Sequence, residues 1–304
     1  KRKGRHMNTE FIKGIIVPIL TPVDKNEVID EGKMRKQVDF VIDGGVSGIL
    51  AFGSNGEFYM TEEDEMMKAL KIMLNHASGR VPVYMGIGAI STKKCIRIAK
   101  AAAAAGADGI SVLQPMFLKP TEEELYLHFK RIADAVSDTP MLLYNNPGRT
   151  GYTLSANLVE RLAREVPNIV GMKDSSGDMT QTEEFIRRTS DIGFKVFGGK
   201  DTLIFGAMVH GAAGCVATTA NFIPELVTSI YNLYMQGDLD GARKAQFKLN
   251  PIRLSMDKAS FPVATKDLAN MLGLDVGKPY TPNLPGHKQA IEAMEQQMRI
   301  AGYM

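Results

Sequence analysis

The sequence predicts an α/β fold, a (β/α)8 TIM barrel with a C-terminal helical extension, and three observations predict it. Short apolar runs alternate with amphipathic stretches from residue 14 to about residue 235. The runs are mostly continuous rather than strictly alternating, which is the pattern of parallel strands covered by helices. Their starts lie roughly 19 to 34 residues apart, close to the length of a strand–helix unit.

In order, the strand candidates are Gly14–Pro22, Gly48–Ser54, Val81–Gly88, Gly109–Pro115, Pro140–Pro147, Ile169–Ser176, Lys195–Asp201 and Gly214–Thr219. Between them, Thr61-Glu62-Glu63-Asp64, Thr121-Glu122-Glu123-Glu124 and Thr180-Gln181-Thr182-Glu183 each match a capping box. In that motif a Thr oxygen and a carboxylate satisfy free N–H groups of a helix's first turn. A doubly wound open sheet is the rival architecture, and the strand count favours closure. Thr21-Pro22-Val23-Asp24 stands where a dinucleotide-binding glycine fingerprint would follow the first strand. Past Gly237 the pattern is mainly helical. The expected organisation is an expression-tag remnant over 1–7, a catalytic barrel over 8–235 and a helical extension over 236–304.

The 304 residues are 44% hydrophobic and 23% charged, ordinary values for a soluble globular protein. No apolar run approaches the roughly 18 residues of a membrane-spanning helix, and the start lacks the apolar core of a signal peptide. The net charge is +2, but Lys1, Arg2, Lys3 and Arg5 precede His6-Met7, and without them the balance is about −2. A basic surface for nucleic acid is therefore not expected. Cys95 and Cys215 form no paired pattern and read as small buried hydrophobes in a reducing cytoplasm. None of His6, His76, His128, His210 and His287 stands at a metal-ligand spacing from another, so neither metal nor cofactor is expected.

Barrel active sites sit where strands end, and the strand ends hold the unusual residues. In Gly171-Met172-Lys173-Asp174-Ser175, alternation puts Gly171 and Lys173 on one face. If that face points inward, the Lys173 amine is poorly solvated. Desolvation lowers a lysine pKa, and only the neutral amine attacks a carbonyl to form a Schiff base. The plainer reading pairs Lys173 with Asp174. Tyr144 ends another strand and is either a proton carrier or packing with a solvated hydroxyl. Ser54 and Asn55 lie between Gly53 and Gly56, in a turn that can aim backbone N–H groups at a carboxylate. Arg149 is either an anion clamp or a surface charge. Gly198-Gly199 follows the seventh strand, where barrels often bind phosphate, or serves close packing.

These segments, Gly53-Ser54-Asn55-Gly56-Glu57, Tyr144-Asn145-Asn146-Pro147-Gly148-Arg149-Thr150-Gly151 and Gly171-Met172-Lys173-Asp174-Ser175-Ser176-Gly177-Asp178, carry a resemblance. The chain resembles the dihydrodipicolinate synthase / N-acetylneuraminate lyase family of class I, Schiff-base-forming aldolases, from Gly14 to the C-terminal helices. The resemblance implies that Lys173 condenses with pyruvate or another 2-oxo acid and that Tyr144 and Ser54 relay protons. It implies that Ser54 and Asn55 hold the oxo acid's carboxylate, and that the backbones of Gly199 and Val216 line the site. It implies a homodimer or homotetramer.

Two departures from the family's pattern stand out. Pro115-Met116-Phe117-Leu118-Lys119-Pro120 has a phenylalanine where synthases donate a tyrosine across a dimer interface, and Phe117 relays no proton. The positions matching the family's lysine site are Glu63, Met66, Ile90 and Met116, so no feedback inhibition by lysine is expected. Arg149 matches the synthases' carboxylate-binding arginine, whereas Gly53–Phe58 and Gly171–Asp178 look like 4-hydroxy-2-oxoglutarate aldolases. The expected activity is a lyase or aldolase joining a 2-oxo acid to a carboxylate-bearing aldehyde. The alternatives are a 2-oxo-3-deoxy sugar-acid or sialic acid type aldolase or dehydratase, a phosphosugar-binding barrel and a non-catalytic 2-oxo-acid sensor.

Overall fold

Eight parallel strands close into one barrel in the computed structural model of the chain, which describes residues 7–304. The basic residues of the expected tag remnant, Lys1 to Arg5, and His6 lie outside the described residues. The strands are β1 (Gly14–Pro18), β2 (Gly48–Ala51), β3 (Val83–Ile87), β4 (Gly109–Leu113), β5 (Met141–Asn145), β6 (Ile169–Asp174), β7 (Lys195–Gly198) and β8 (Gly214–Val216). Each pairs with the next, and β8 closes on β1. Helices α1 (Glu31–Asp43), α2 (Glu63–Ala77), α3 (Thr92–Ala105) and α4 (Glu122–Ala135) follow the first four strands. The one-turn α5 (Pro147–Thr150), α6 (Ala156–Glu165), α7 (Met179–Thr189), α8 (Ile204–Val209) and α9 (Pro224–Met235) complete the ring. Beyond it come α10 (Leu239–Ser255), α11 (Val263–Met271) and α12 (Lys288–Ile300).

Every strand starts within a residue or two of its expected position, and every apolar run overshoots the strand's end. Residues past the ladder such as Phe52, Gly53 and Ala217 stay apolar or small because they turn over the barrel's mouth and remain buried.

Alternation along the strands separates two cores. Ile16, Leu50, Tyr84, Leu142, Phe197 and Val216 pack inside the barrel, with Ile12 plugging its lower end. Their neighbours Ile15, Val17, Ile49, Met85, Val112, Leu143 and Met172 pack outward against the helices. With both faces buried, the strands read as continuous apolar runs. Gly171 shows why a glycine interrupts one of them: a Cβ there would meet the Lys195 carbonyl and the Leu142 side chain.

One of the three capping boxes forms as written: Thr121 and Glu124 bond reciprocally at the start of α4. At α7 the cap is Asp178, whose carboxylate accepts from the Thr180 and Gln181 N–H groups. An aspartate two residues upstream outcompetes the threonine. At α2 the Thr61 hydroxyl donates instead to the Glu57 carbonyl, 3.1 Å away, and the helix starts uncapped after Glu62. Both cysteines are free and buried, and burial pushes the Cys95 thiol up to about 12. Among the described residues no helix is long and apolar enough to cross a membrane.

Candidate active site

A cavity of about 400 Å³ opens over the C-terminal ends of the strands, near the lower end of the range for small-ligand sites. The β5–β6 ladder sets its chemistry. Tyr144 and Lys173 are partners in that ladder's register, so their side chains enter the barrel's mouth side by side. The Lys173 Nζ stands 4.3 Å from the centre of the Tyr144 ring. Lys173 is 7% and Tyr144 6% exposed. The inward face expected from Gly171 is therefore the one Lys173 occupies.

Asp174 is not its partner. Alternation turns that carboxylate to the other face, where it accepts from Asn145 Nδ2 at 2.8 Å and from Ser176 Oγ at 2.8 Å, and also from Thr182. Among the described residues no carboxylate lies within ion-pair distance of Lys173. The Tyr144 phenol has its own neighbours: Asn146 Nδ2 donates to Oη at 2.8 Å, and Ser54 and Ser175 line the same cavity. Burial pushes this phenol up, but the Lys173 ammonium and the side chains of Ser54, Ser175 and Asn146 outweigh it, and the net direction is downward.

Ser54 and Asn55 open a single 3-10 turn, flanked by Phe52 and Glu57 with left-handed φ angles of 51° and 54°. The Asn55 side chain is spoken for: its amide donates to Thr218 at 3.0 Å and accepts from Thr265 at 3.1 Å. Its backbone N–H is one of the first in the turn, where N–H groups have no partner within the turn itself. Gly199 lines the cavity and its N–H is fixed to the Asp174 carbonyl at 2.8 Å. Arg149 sits on α5, exposed at the rim, with its guanidinium 5.0 Å over the Phe261 ring. Val216 lies lower, its side chain packed in the barrel interior, and does not line the cavity. Phe117 also lies outside the cavity, 90% exposed with φ at 76°.

Several lining residues had no assigned role in the sequence. Asn146, Ser175 and Lys200 lie within the singled-out segments. Arg253, Asp257, Phe261 and Ala264 come from the extension: Arg253 from the end of α10, Ala264 from the start of α11, and the other two from the segment joining them. No spacing announces them, because their side chains reach the site only after the extension folds back across the mouth.

That fold-back is anchored in the interior. Glu57, the last residue of the Gly53–Glu57 segment, forms a 2.7 Å ion pair with Lys266 of α11, and both side chains are fully buried. Glu57 also accepts from the Tyr280 N–H at 3.1 Å, and the Lys266 ammonium donates to the Lys278 carbonyl at 2.9 Å. Burial lowers the Lys266 pKa, with Glu57 opposing that direction. Among the described residues no three His, Cys, Asp or Glu side chains converge in a way that could hold a metal ion. What the arrangement offers is a primary amine beside a phenol, hydroxyls within reach, and cations at the rim.

Comparison with known proteins gives the same picture. The model of the dihydrodipicolinate synthetase family matches residues 11–301. A 4-hydroxy-tetrahydrodipicolinate synthase from Trichlorobacter lovleyi is 36% identical, covering 95% of this chain and 100% of the relative. A solved dihydrodipicolinate synthase from Acinetobacter baumannii, complexed with pyruvate, superposes with a TM-score of 0.92 at 33% identity, covering 96% of this chain and 100% of that one. A prophage protein from E. coli K12 belonging to the dihydrodipicolinic acid synthase family, also in complex with pyruvate, gives a TM-score of 0.92 at 27% identity, covering 96% and 99%. The chain belongs to the dihydrodipicolinate synthetase family of lyases.

Proposed function

We propose that Lys173 forms a Schiff base with pyruvate or another 2-oxo acid and that the enzyme makes or breaks a C–C bond to a carboxylate-bearing aldehyde. The observation that carries this reading is the pairing of Lys173 and Tyr144 at the barrel's mouth, 4.3 Å from amine to ring centre. The amine attacks the keto carbon, one amine proton passes to the former keto oxygen, and the Tyr144 hydroxyl gives the second, so that the oxygen leaves as water and a protonated imine remains. The cationic imine then draws electrons from the adjacent carbon. That carbon loses a proton to the Tyr144 phenolate, and the enamine formed adds to the aldehyde carbon, whose oxygen takes that proton back to become a hydroxyl; the reverse sequence cleaves. Ser54 completes the relay, since it lines the cavity with Tyr144 and helps draw the phenol's pKa down. The Ser54 and Asn55 backbone N–H groups take the oxo acid's carboxylate. Arg149, at the rim, takes the carboxylate of the aldehyde. Gly199 supplies backbone to the wall, and Val216 packs in the barrel interior beneath it.

The barrel and its extension act as one catalytic unit, because Arg253, Asp257 and Phe261 complete the cavity. The enzyme assembles as a homodimer or homotetramer, which the exposed Phe117 and Leu118, at 90% and 66%, support. Two buried free thiols fit a cytoplasmic enzyme. Without a hydroxyl at Phe117, the relay is Ser54 and Tyr144.

Borohydride reduction in the presence of pyruvate tests the central step. A reduced adduct on the peptide containing Lys173, absent from Lys173→Ala, is the expected result. No adduct with any 2-oxo acid would favour a binding protein without this chemistry.

A further inference from the structure

The outer half of the cavity has an unbalanced charge. Arg149, Lys200 and Arg253 all line it, and the carboxylates there are those of Asp201 and Asp257. Both are already engaged. Asp201 is buried, and its oxygens accept from the N–H groups of Thr218 and Thr219, at 3.1 and 2.6 Å, and from the Thr219 hydroxyl at 2.6 Å. Asp257 holds Arg253 in a 2.7 Å ion pair. Among the described residues no carboxylate lies within 4.0 Å of Lys200 or Arg149. Lys200 is exposed at the rim directly after Gly199, and its methylene chain rests against Gly177. The cavity therefore carries two uncompensated cations at its rim, above the Lys173 amine at its base.

A cavity of about 400 Å³ is roughly 9 Å across, about one Debye length at 0.1 M salt, so screening does not hide those charges from a bound molecule. A negative group at the outer end is attracted and an ammonium there is repelled. The relatives named 4-hydroxy-tetrahydrodipicolinate synthase make a ring that contains nitrogen. Pyruvate has no nitrogen, so their second substrate must bring an amine.

We propose that this enzyme instead selects an aldehyde that carries a carboxylate and no amino group, and that Lys200 is the residue that sets this preference. The proposal rests on the imine reading above and narrows its second substrate. Lys200 acts on the aldehyde at the rim, while the oxo acid is held at the Ser54–Asn55 turn on the other side of the cavity. Its effect therefore falls on the aldehyde's KM and not on that of pyruvate.

Two aldehydes with the same carbon skeleton test this directly. Succinate semialdehyde is aspartate semialdehyde without its amino group. With pyruvate as the common partner, the expected ratio of kcat/KM is about ten to one in favour of succinate semialdehyde, the size of effect one charge at this distance produces. Lys200→Glu should cut that ratio about ten-fold or more, and Lys200→Met should fall between the two. Equal use of the two aldehydes by the wild type overturns the proposal, as does a ratio that Lys200→Glu leaves unchanged. Borohydride trapping of pyruvate on the wild type separates this from the reading beneath it. An adduct on Lys173 with an unchanged ratio sinks the role of Lys200 alone, and no adduct takes down both.

Discussion

The wall of the cavity formed by β5 and β6 and the wall formed between α10 and α11 hold their side chains in different ways. Tyr144 and Lys173 are fixed by a strand ladder, nearly buried, and surrounded by hydrogen-bonding neighbours. Across the cavity, Arg253 and Asp257 form a pair in which Asp257 is largely exposed, and Phe261 lies on an irregular segment under an exposed arginine. Positions that must be accurate to a fraction of an ångström sit on the sheet, and on the proposed function the positions that meet the variable partner lie beyond the strand ends, on α5, after β7 and on the extension. On that division, changes to the strand wall should act on kcat and changes to the opposite wall on the aldehyde's KM.

Tyr144→Phe is the strongest test. Removing a positioned proton carrier costs about 10²–10⁴ in kcat, and rapid-quench or steady-state turnover should show that loss with little change in the KM of pyruvate. A loss confined to KM would erase the distinction between the two walls. Glu57→Gln comes next, because it strands the Lys266 ammonium in the interior. Breaking one side of a buried ion pair costs about 3–5 kcal/mol, visible as a lower denaturation midpoint. Glu57→Gln combined with Lys266→Met should recover most of it. If the single variant unfolds like the wild type, the Ser54 turn and α11 are not held together by this pair. Phe261→Ala removes the ring beneath Arg149, a contact of about 0.5–1 kcal/mol, so the aldehyde's KM should rise a few-fold at constant kcat. The smallest effect belongs to Ser54→Ala. Its hydroxyl helps lower the Tyr144 pKa, so without it that pKa rises and the alkaline limb of kcat moves to higher pH. A limb that moves down or stays fixed would remove Ser54 from the relay.

The same division governs what could be read from the residues alone. Strand starts were legible because each begins with residues that enter two apolar cores at once. Strand ends were not, because Phe52, Gly53 and Ala217 are as apolar beyond the ladder as within it. Lys173 and Tyr144 were legible because alternation with Gly171 and Leu142 fixes their face. Val216 is inward by the same rule but lies in the interior cluster, below the cavity. Phe261 and Arg253 gave no signal, since their place at the site depends on how α10 and α11 lie over the barrel rather than on any local pattern. Thr180 failed as a cap because Asp178 competes for the same N–H groups, which only the observed start of α7 decides.

The interior contact between Glu57 and Lys266 also bears on how short a working version of this enzyme can be. Lys266 is held by the Lys278 carbonyl, and Glu57 by the Tyr280 N–H, so the turn that opens with Ser54 leans on residues as far along the chain as 280. A version trimmed to its eight strands and their helices would keep the nucleophile but lose the support under its carboxylate pocket. The minimal catalyst here is longer than the minimal barrel.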